Sequence, residues 1–179
     1  MSRLKKIVTG AGGSEIAEAA LVLPIFFMIM LGIYWFGRAF NTYATINHAA
    51  REGARVGVAQ TCATCASLSI AQTTNLIAAQ VTQSLQASSL IPGQVTNLGA
   101  VPAACGGGSA TCAQAGNPKI WVCYNVQLQP TASLPAGSGA PACGVSVEFQ
   151  YPYQFFLPFT SLNMQKIMLN AGVQMTGEY

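Results

Sequence analysis

Six cysteines and a lone histidine are the residues of this chain best suited to redox or metal chemistry. Such a set can form structural disulfides, a reactive thiol pair or a metal site. Cys62 and Cys65 form a Cys-x-x-Cys pair, but no βαβ pattern of thioredoxin-like proteins surrounds it. His48 lies far from the cysteine-containing loops. Structural disulfides in an oxidising compartment are therefore the favoured interpretation, and neither a metal nor a cofactor is predicted. The candidates are Cys62, Cys65, Cys105, Cys112, Cys123 and Cys143.

The sequence permits many pairings of these cysteines and does not choose among them. Closure between neighbours along the chain favours three short loops. The three pairs would be Cys62 with Cys65, Cys105 with Cys112 and Cys123 with Cys143.

Other enzyme chemistry has few candidate residues. The chain has no aspartate, and of its five acidic residues Glu15 and Glu18 flank the start of an apolar segment. Paired-carboxylate and Ser-His-Asp mechanisms therefore lack their residues, and no phosphate-binding GxxxxGK[ST] motif is present. The formal charge of +3 equals the three cations of residues 1–13, so the remainder is neutral and offers no extended basic surface for nucleic acid.

A charge-free apolar segment dominates the first part of the chain, from Ala19 to Gly37. As a helix it would be about 28 Å long, close to the hydrocarbon thickness of a bilayer. A short basic leader precedes it, and no A-x-A-like cleavage site interrupts it, so we expect the helix to stay attached. Glu18 lies at its entrance, where an unpaired carboxylate is costly, and this predicts a partner for Glu18.

Gly13 followed by a carboxylate at the fifth position and an apolar helix resembles the processing site of type IV prepilin-like proteins. The blocks 18–24, 36–40 and 49–55 extend the similarity to TadE-like pseudopilins of the tight-adherence (Tad) pilus machinery. The resemblance implies cleavage between Gly13 and Ser14 by a prepilin peptidase, with roles for Glu18 in processing and for Glu18 and Pro24 in assembly. One departure is Ala19, where the family usually has an aromatic residue.

By this resemblance the chain is a minor pilin or pseudopilin that assists assembly of a Tad-type (type IVb-like) pilus for surface adhesion or secretion, and it is not an enzyme. The implied partners are the prepilin peptidase, other pilin or pseudopilin subunits, the inner-membrane assembly platform and membrane lipid. The implied location is the inner membrane, crossed once, with the C-terminal domain in the periplasm or in an extracellular pilus.

The predicted organisation is α+β and pilin-like. It comprises a leader at 1–13, a transmembrane helix at 14–37 with a kink at Pro24, a helical extension at 38–60 and a disulfide-stapled domain at 61–179. Apolar spacing predicts a second helix at 69–86, with Ile70, Ile77, Val81 and Leu85 on its apolar side. Period-two patterning predicts antiparallel strands at 120–128, 145–151 and 169–175.

The helical extension is expected to pack through a stripe spaced by three and four residues, which ends in small side chains that permit close backbone approach. The stripe comprises Phe36, Phe40, Tyr43, Asn47, Ala50, Ala54 and Val58. His48 and Glu52 are spaced as a helical pair, and Arg51 and Arg55 share a face that either binds acidic groups near the membrane or is solvated. The apolar run 155–159 is expected to contact a partner, the membrane surface or the core.

Two further function classes fit the sequence. A single-pass adhesion or binding module would use the helix only as an anchor, keep its leader and tolerate replacement of the anchor. A membrane-tethered thiol oxidoreductase would need a reactive Cys62–Cys65 pair and would lose activity on exchange of Cys for Ser.

Overall fold

A single helix of 48 residues, α1 (Gly12–Ala59), forms the axis of the molecule in a computed structural model of the chain. The structure describes residues 12–59, 68–128, 142–155 and 166–176, with side chains from Ile16 onward. In these ranges, helix α2 (Ile70–Ala87) and four strands follow α1 and give an α+β fold. This confirms the predicted fold class: a long apolar N-terminal helix, a second helix and an antiparallel sheet.

The strands form an antiparallel sheet in the order in which they occur along the chain. The strands are β1 (Thr111–Gln114), β2 (Trp121–Gln127), β3 (Cys143–Gln154) and β4 (Lys166–Thr176). One side of β3 is buried at alternate positions, at Val145, Val147, Phe149 and Tyr151, as the period-two pattern predicts. The C-terminal half of α1 packs against β3, β4 and α2, so the core lies between the helices and the sheet.

Helix α2 begins as its sequence predicts. The Ser69 hydroxyl accepts a hydrogen bond from the Gln72 amide, and the Gln72 side chain accepts one from the Ser69 amide, which forms a capping box. Ile77, Val81 and Leu85 are fully buried, as expected. Ile70, in the first turn, is 44% exposed, so only the other three residues of the predicted apolar side are buried.

Three strands differ from the prediction, β4 by beginning at Lys166, three residues before the predicted start. Strand β1 was not predicted, because its four residues lack β-branched alternation, and it pairs with β2 by a register that puts Cys112 opposite Cys123. Strand β3 continues through Pro152 to Gln154, three residues beyond the predicted end. The register of β2 with β3 ends at Glu148, so the missing N–H of Pro152 interrupts no bond in that ladder, and Pro152 pairs with Met168 of β4.

The buried stripe of α1 is rotated from the predicted one in its first half. Phe40 and Tyr43 are exposed, which corrects their expected place in the packing stripe, and Phe36 is exposed except for a contact with the ring of Phe155, whereas Ala50 and Ala54 are fully buried as expected. The buried stripe begins at Thr42, and small residues make up most of it. Its members are Thr42, Ile46, Ala49, Ala50, Gly53, Ala54 and Gly57.

Close approach explains the glycines of this stripe. A Cβ at Gly53 would lie 2.6 Å from Val81 Cγ2, and one at Gly57 would lie 3.1 Å from Ile77 Cδ1 and 3.3 Å from Val145 Cγ1. Helix α2 and strand β3 therefore contact the backbone of α1 directly. The expected close packing of the small-residue face is therefore confirmed, and the elements that it contacts, α2, β3 and β4, belong to the same molecule.

Exchange of Gly53 for Val tests this close packing. Because the added carbons would overlap Val81 and Ile77, we expect Gly53→Val to destabilise the domain by about 1 to 3 kcal/mol. Gly37→Val is the matched control, since nothing lies within 4 Å of a Cβ at that helical glycine. Thermal unfolding in detergent, followed by near-UV circular dichroism, should show a lower Tm for the first variant only. Equal Tm values for the two variants would contradict the proposed contact.

Candidate membrane span and processing site

The N-terminal half of α1 has the length and composition of a membrane-spanning helix. The described segment from Ile16 to Ala59 contains a window of mean hydropathy 2.4, and none of that window is buried within the molecule. Large apolar side chains are exposed there, among them Leu21, Phe26 and Met28. A continuous apolar surface of this size is rarely left in water, and a bilayer accommodates it. The residues therefore form a candidate membrane span.

Two charged residues bracket this span. Glu18 and Arg38 are separated by twenty positions of continuous helix, or about 30 Å at the helical rise, which equals the thickness of the hydrocarbon layer. No Asp, Glu, Lys or Arg lies between them in the sequence. Placing the two charges at opposite boundaries therefore satisfies both without burying either.

The predicted processing residues lie at the beginning of α1. Gly13 and Ser14 belong to its first turn, and Glu18 is exposed one turn after Ser14, where residues four apart share a helix face. The structure thus brings the backbone of Ser14 and Glu18 together on one side of the helix. Pro24 lies within the helix, three turns before Trp35.

Aromatic residues join α1 to the end of β3. The Tyr153 hydroxyl donates a hydrogen bond of 3.3 Å to the carbonyl oxygen of Trp35, and the ring of Phe155 contacts those of Phe36 and Tyr153 at centroid distances of 6.1 and 5.0 Å. Tyr34 packs edge-on against Trp35. We call Tyr34, Trp35, Phe36, Tyr153 and Phe155 the aromatic junction.

Arg38 places a positive charge beside the aromatic junction. The Arg38 guanidinium lies 5.7 Å from the centre of the Trp35 ring, within the range of a cation–π interaction. Burial raises the pKa of the Tyr153 hydroxyl, while the charge of Arg38 opposes this effect. The hydroxyl is therefore neutral at physiological pH and acts as a hydrogen-bond donor. The sequence marked Phe155 only as part of an apolar run, and no local signal linked it to Phe36.

The disulfides differ from the pairing that local closure favours. Cys105 is bonded to Cys143 and Cys112 to Cys123, so the expected pairs Cys105 with Cys112 and Cys123 with Cys143 are wrong. Cys112 and Cys123 face each other on β1 and β2, with their Cα atoms 4.0 Å apart. The pairing of β1 with β2 therefore decides the partner of Cys112, and the shortest connection along the chain does not. Cys62 and Cys65 lie outside the described residues.

Charged side chains on the outer face of α1 form a small network. Glu52 lies 4.0 Å from His48 and 3.9 Å from Arg55, which confirms the expected helical pair of His48 with Glu52. His48 and Arg55 are largely exposed, so these pairs contribute little to stability. Within the described ranges, no three residues among His, Cys, Asp and Glu come together as metal ligands.

The geometry defines a class of protein: an α+β domain built on the C-terminal half of one helix whose N-terminal half is a candidate membrane span. Comparison with protein families narrows this class. The family model of the TadE-like proteins matches residues 13–55, so the chain is similar to that family over this segment. No curated protein and no solved structure matches the chain.

The matched segment begins at the predicted processing glycine and ends within α1. It includes the candidate span and most of the buried stripe, from Thr42 to Ala54. The part of this chain that resembles the family is therefore both the part suited to the membrane and the part on which the domain is built.

Tryptic digestion tests the disulfide pairing directly. Cleavage after Arg55, the exposed Lys119 and Lys166 gives fragments 56–119 and 120–166. Because Cys105 and Cys112 lie in the first fragment and their partners Cys143 and Cys123 in the second, the fragments should remain linked without reductant. Mass spectrometry should show one joined species that separates into two on reduction. Separation without reductant would instead support closure between neighbouring cysteines.

Proposed function

We propose that this chain is a minor pilin or pseudopilin that assists assembly of a Tad-type pilus, and that it performs no catalysis. The observation that carries the proposal is the dual use of α1. Its exposed apolar half is available to lipid and to other helices, and its second half is the central element of a folded domain. A subunit of this design holds its domain at a fixed position relative to the membrane segment. Such coupling suits an assembly in which packed helices carry folded domains.

Maturation would remove residues 1–13 by cleavage before Ser14, and the prepilin peptidase is the expected enzyme. Cleavage at this point falls in the first turn of α1, so the remaining helix would keep nearly its full length. The new amino group of Ser14 would have a pKa near 8 and carry a positive charge at neutral pH. It would be the only charge added at this end of the span.

Glu18 would be the partner of such an amino group on a neighbouring subunit. The carboxylate lies about 6 Å along the helix axis from Ser14, so an adjacent parallel helix displaced by about one turn would bring its amino group level with Glu18. An ion pair in apolar surroundings is strong when both partners are present and costly when either is missing. The pair would therefore favour one register between subunits. Pro24, by loosening one turn, would assist packing of the helices in the same assembly.

The domain is proposed to lie in the periplasm, with α1 crossing the inner membrane once. The disulfides Cys105–Cys143 and Cys112–Cys123 support an oxidising compartment. Other pilus subunits and the inner-membrane assembly platform are the proposed partners, and membrane lipid surrounds the free subunit. The role would be exercised in adhesion or secretion through the pilus.

The N-terminal mass of the membrane-extracted protein tests the maturation. In cells with an active prepilin peptidase the chain should begin at Ser14, and in cells without it the leader should remain. An intact leader in both strains would favour the anchored binding module instead. A thiol oxidoreductase would be indicated only if the protein reduced insulin disulfides and lost that activity on exchange of Cys62 or Cys65 for Ser.

Substitution of Glu18 tests the assembly role separately. Glu18→Gln removes the charge with little change in shape, and we expect it to lower subunit cross-linking and pilus assembly by at least tenfold, as loss of roughly 1.4 kcal/mol or more would. Glu15→Gln is the matched control, because it removes a carboxylate three residues earlier and outside the apolar segment. Unchanged cross-linking and assembly in Glu18→Gln would refute the pairing. Loss of cleavage alone would assign Glu18 to recognition by the peptidase.

A further inference from the structure

We propose that the aromatic junction, together with Arg38, is a lipid-interface site that seats the globular domain directly on the bilayer surface. The ligand is the headgroup and upper acyl region of the phospholipids. The inference rests on the membrane insertion of α1 that the proposed function requires. It goes further because it assigns a lipid contact to β3, an element of the domain outside the segment that matches the family.

The depth of α1 in the bilayer supports the site. With Glu18 at one boundary, Arg38 lies about 30 Å away at the other, and the headgroup layer extends roughly 5 to 7 Å beyond it. Tyr34 and Trp35 then lie one turn below Arg38, and Phe40 lies about 3 Å above it. Tryptophan and tyrosine side chains concentrate at this level in membrane proteins because their rings are amphipathic. Tyr34 and Phe36 are about 60% exposed on the isolated chain, and so are available to lipid.

The C-terminal end of strand β3 lies at the same depth as Tyr34 and Trp35 of α1. Near its beginning, Val145 Cγ1 lies 3.3 Å from the Cβ position of Gly57, and near its end Tyr153 binds the carbonyl of Trp35. The strand therefore runs antiparallel to α1. Eight residues of strand span about 26 Å, and the corresponding 22 residues of α1 span about 33 Å, so the two elements remain side by side along this length. The end of β3 meets the helix where the helix enters the membrane.

Phe155 then adopts an interfacial position without a linker between the domain and the bilayer. Its ring contacts Phe36 and Tyr153, and it is half-buried in the isolated chain. The remaining ring surface lies at the level of the upper acyl chains. Burial of this surface by lipid is favourable by about 25 cal/mol for each Å² removed from water.

Arg38 supplies the electrostatic complement. Its guanidinium lies over Trp35 near the hydrocarbon boundary, and a long arginine side chain can extend from there to a lipid phosphate while its methylenes remain against apolar surface. A cation at the boundary is thus matched by the anionic layer next to it. A protein-binding site would not have to lie at the depth of the bilayer interface, and it would not need tyrosine and tryptophan side chains grouped at that depth.

Quenching of single tryptophans by brominated lipids tests the site in the full chain. The test variant carries Phe155→Trp with Trp35→Phe and Trp121→Phe, and it is reconstituted in vesicles of zwitterionic and anionic phospholipids brominated near the top of the acyl chains. Trp35→Phe alone is the control, since it leaves the native Trp121 on β2. Trp121 pairs with Glu148, about 16 Å along β3 from Tyr153 and away from the membrane.

We expect the tryptophan at position 155 to be quenched several-fold more strongly than Trp121 and to emit at shorter wavelength. Equal quenching at the two positions would overturn the proposal, and would mean that the domain stands away from the bilayer or that another subunit covers the junction. Trp121→Phe leaves Trp35 as the reporter for the helix itself. Quenching of Trp35 without quenching at position 155 would reject only the seating of the domain. Absence of quenching at Trp35 would reject the insertion on which the proposed function depends.

Discussion

The close contact of α2 and β3 with the backbone of α1 is the constraint on which the rest of this structure depends. Gly53 and Gly57 leave no side chain between the elements, and Ala49, Ala50 and Ala54 continue the same surface. Larger residues on this face would separate the helices and open the core. Because the contact requires small residues and not large apolar ones, this half of α1 has little apolar surface of its own. The core is instead filled from the partner elements, chiefly by Ile77, Val81, Val147 and Phe149.

This contact makes the N-terminal helix a part of the folded domain, which a simple membrane anchor is not. A simple anchor is joined to its domain by a linker, and its orientation is independent of the domain. Here the helix passes from the candidate span into the core without a break. The hydrogen bond from the Tyr153 hydroxyl to the Trp35 carbonyl also joins the end of β3 to the helix. A displacement or rotation of the membrane segment would thus be transmitted to the sheet.

The disulfides join β1 and the residues before it to strands β2 and β3. Loops of 38 and 11 residues are closed by Cys105–Cys143 and Cys112–Cys123. By the chain-entropy model such loops contribute about 3 to 4 kcal/mol each, which is large for a domain of this size. The bridges hold β1 and the segment before it on the sheet edge, where four residues of strand alone would be marginal. Helix packing and cross-linking therefore both stabilise the domain.

The sequence by itself determined the elements whose information is local. The apolar segment, the helical spacing of Ile77, Val81 and Leu85, and the alternation along β3 all lie within short windows. The structure has a helix long and apolar enough to span a membrane, and the apolar positions of α2 at Ile77, Val81 and Leu85 and of β3 are buried as predicted. Only the tertiary structure decided three other features: the rotation of the α1 stripe away from Phe40 and Tyr43, the partners of the cysteines, and the meeting of Phe155 with Phe36. Each depends on which residues distant in the chain come together. An exposed aromatic in the bilayer interface and a buried one in a core give the same sequence pattern, since both environments favour apolar rings, and only the arrangement of the sheet on the helix distinguishes them.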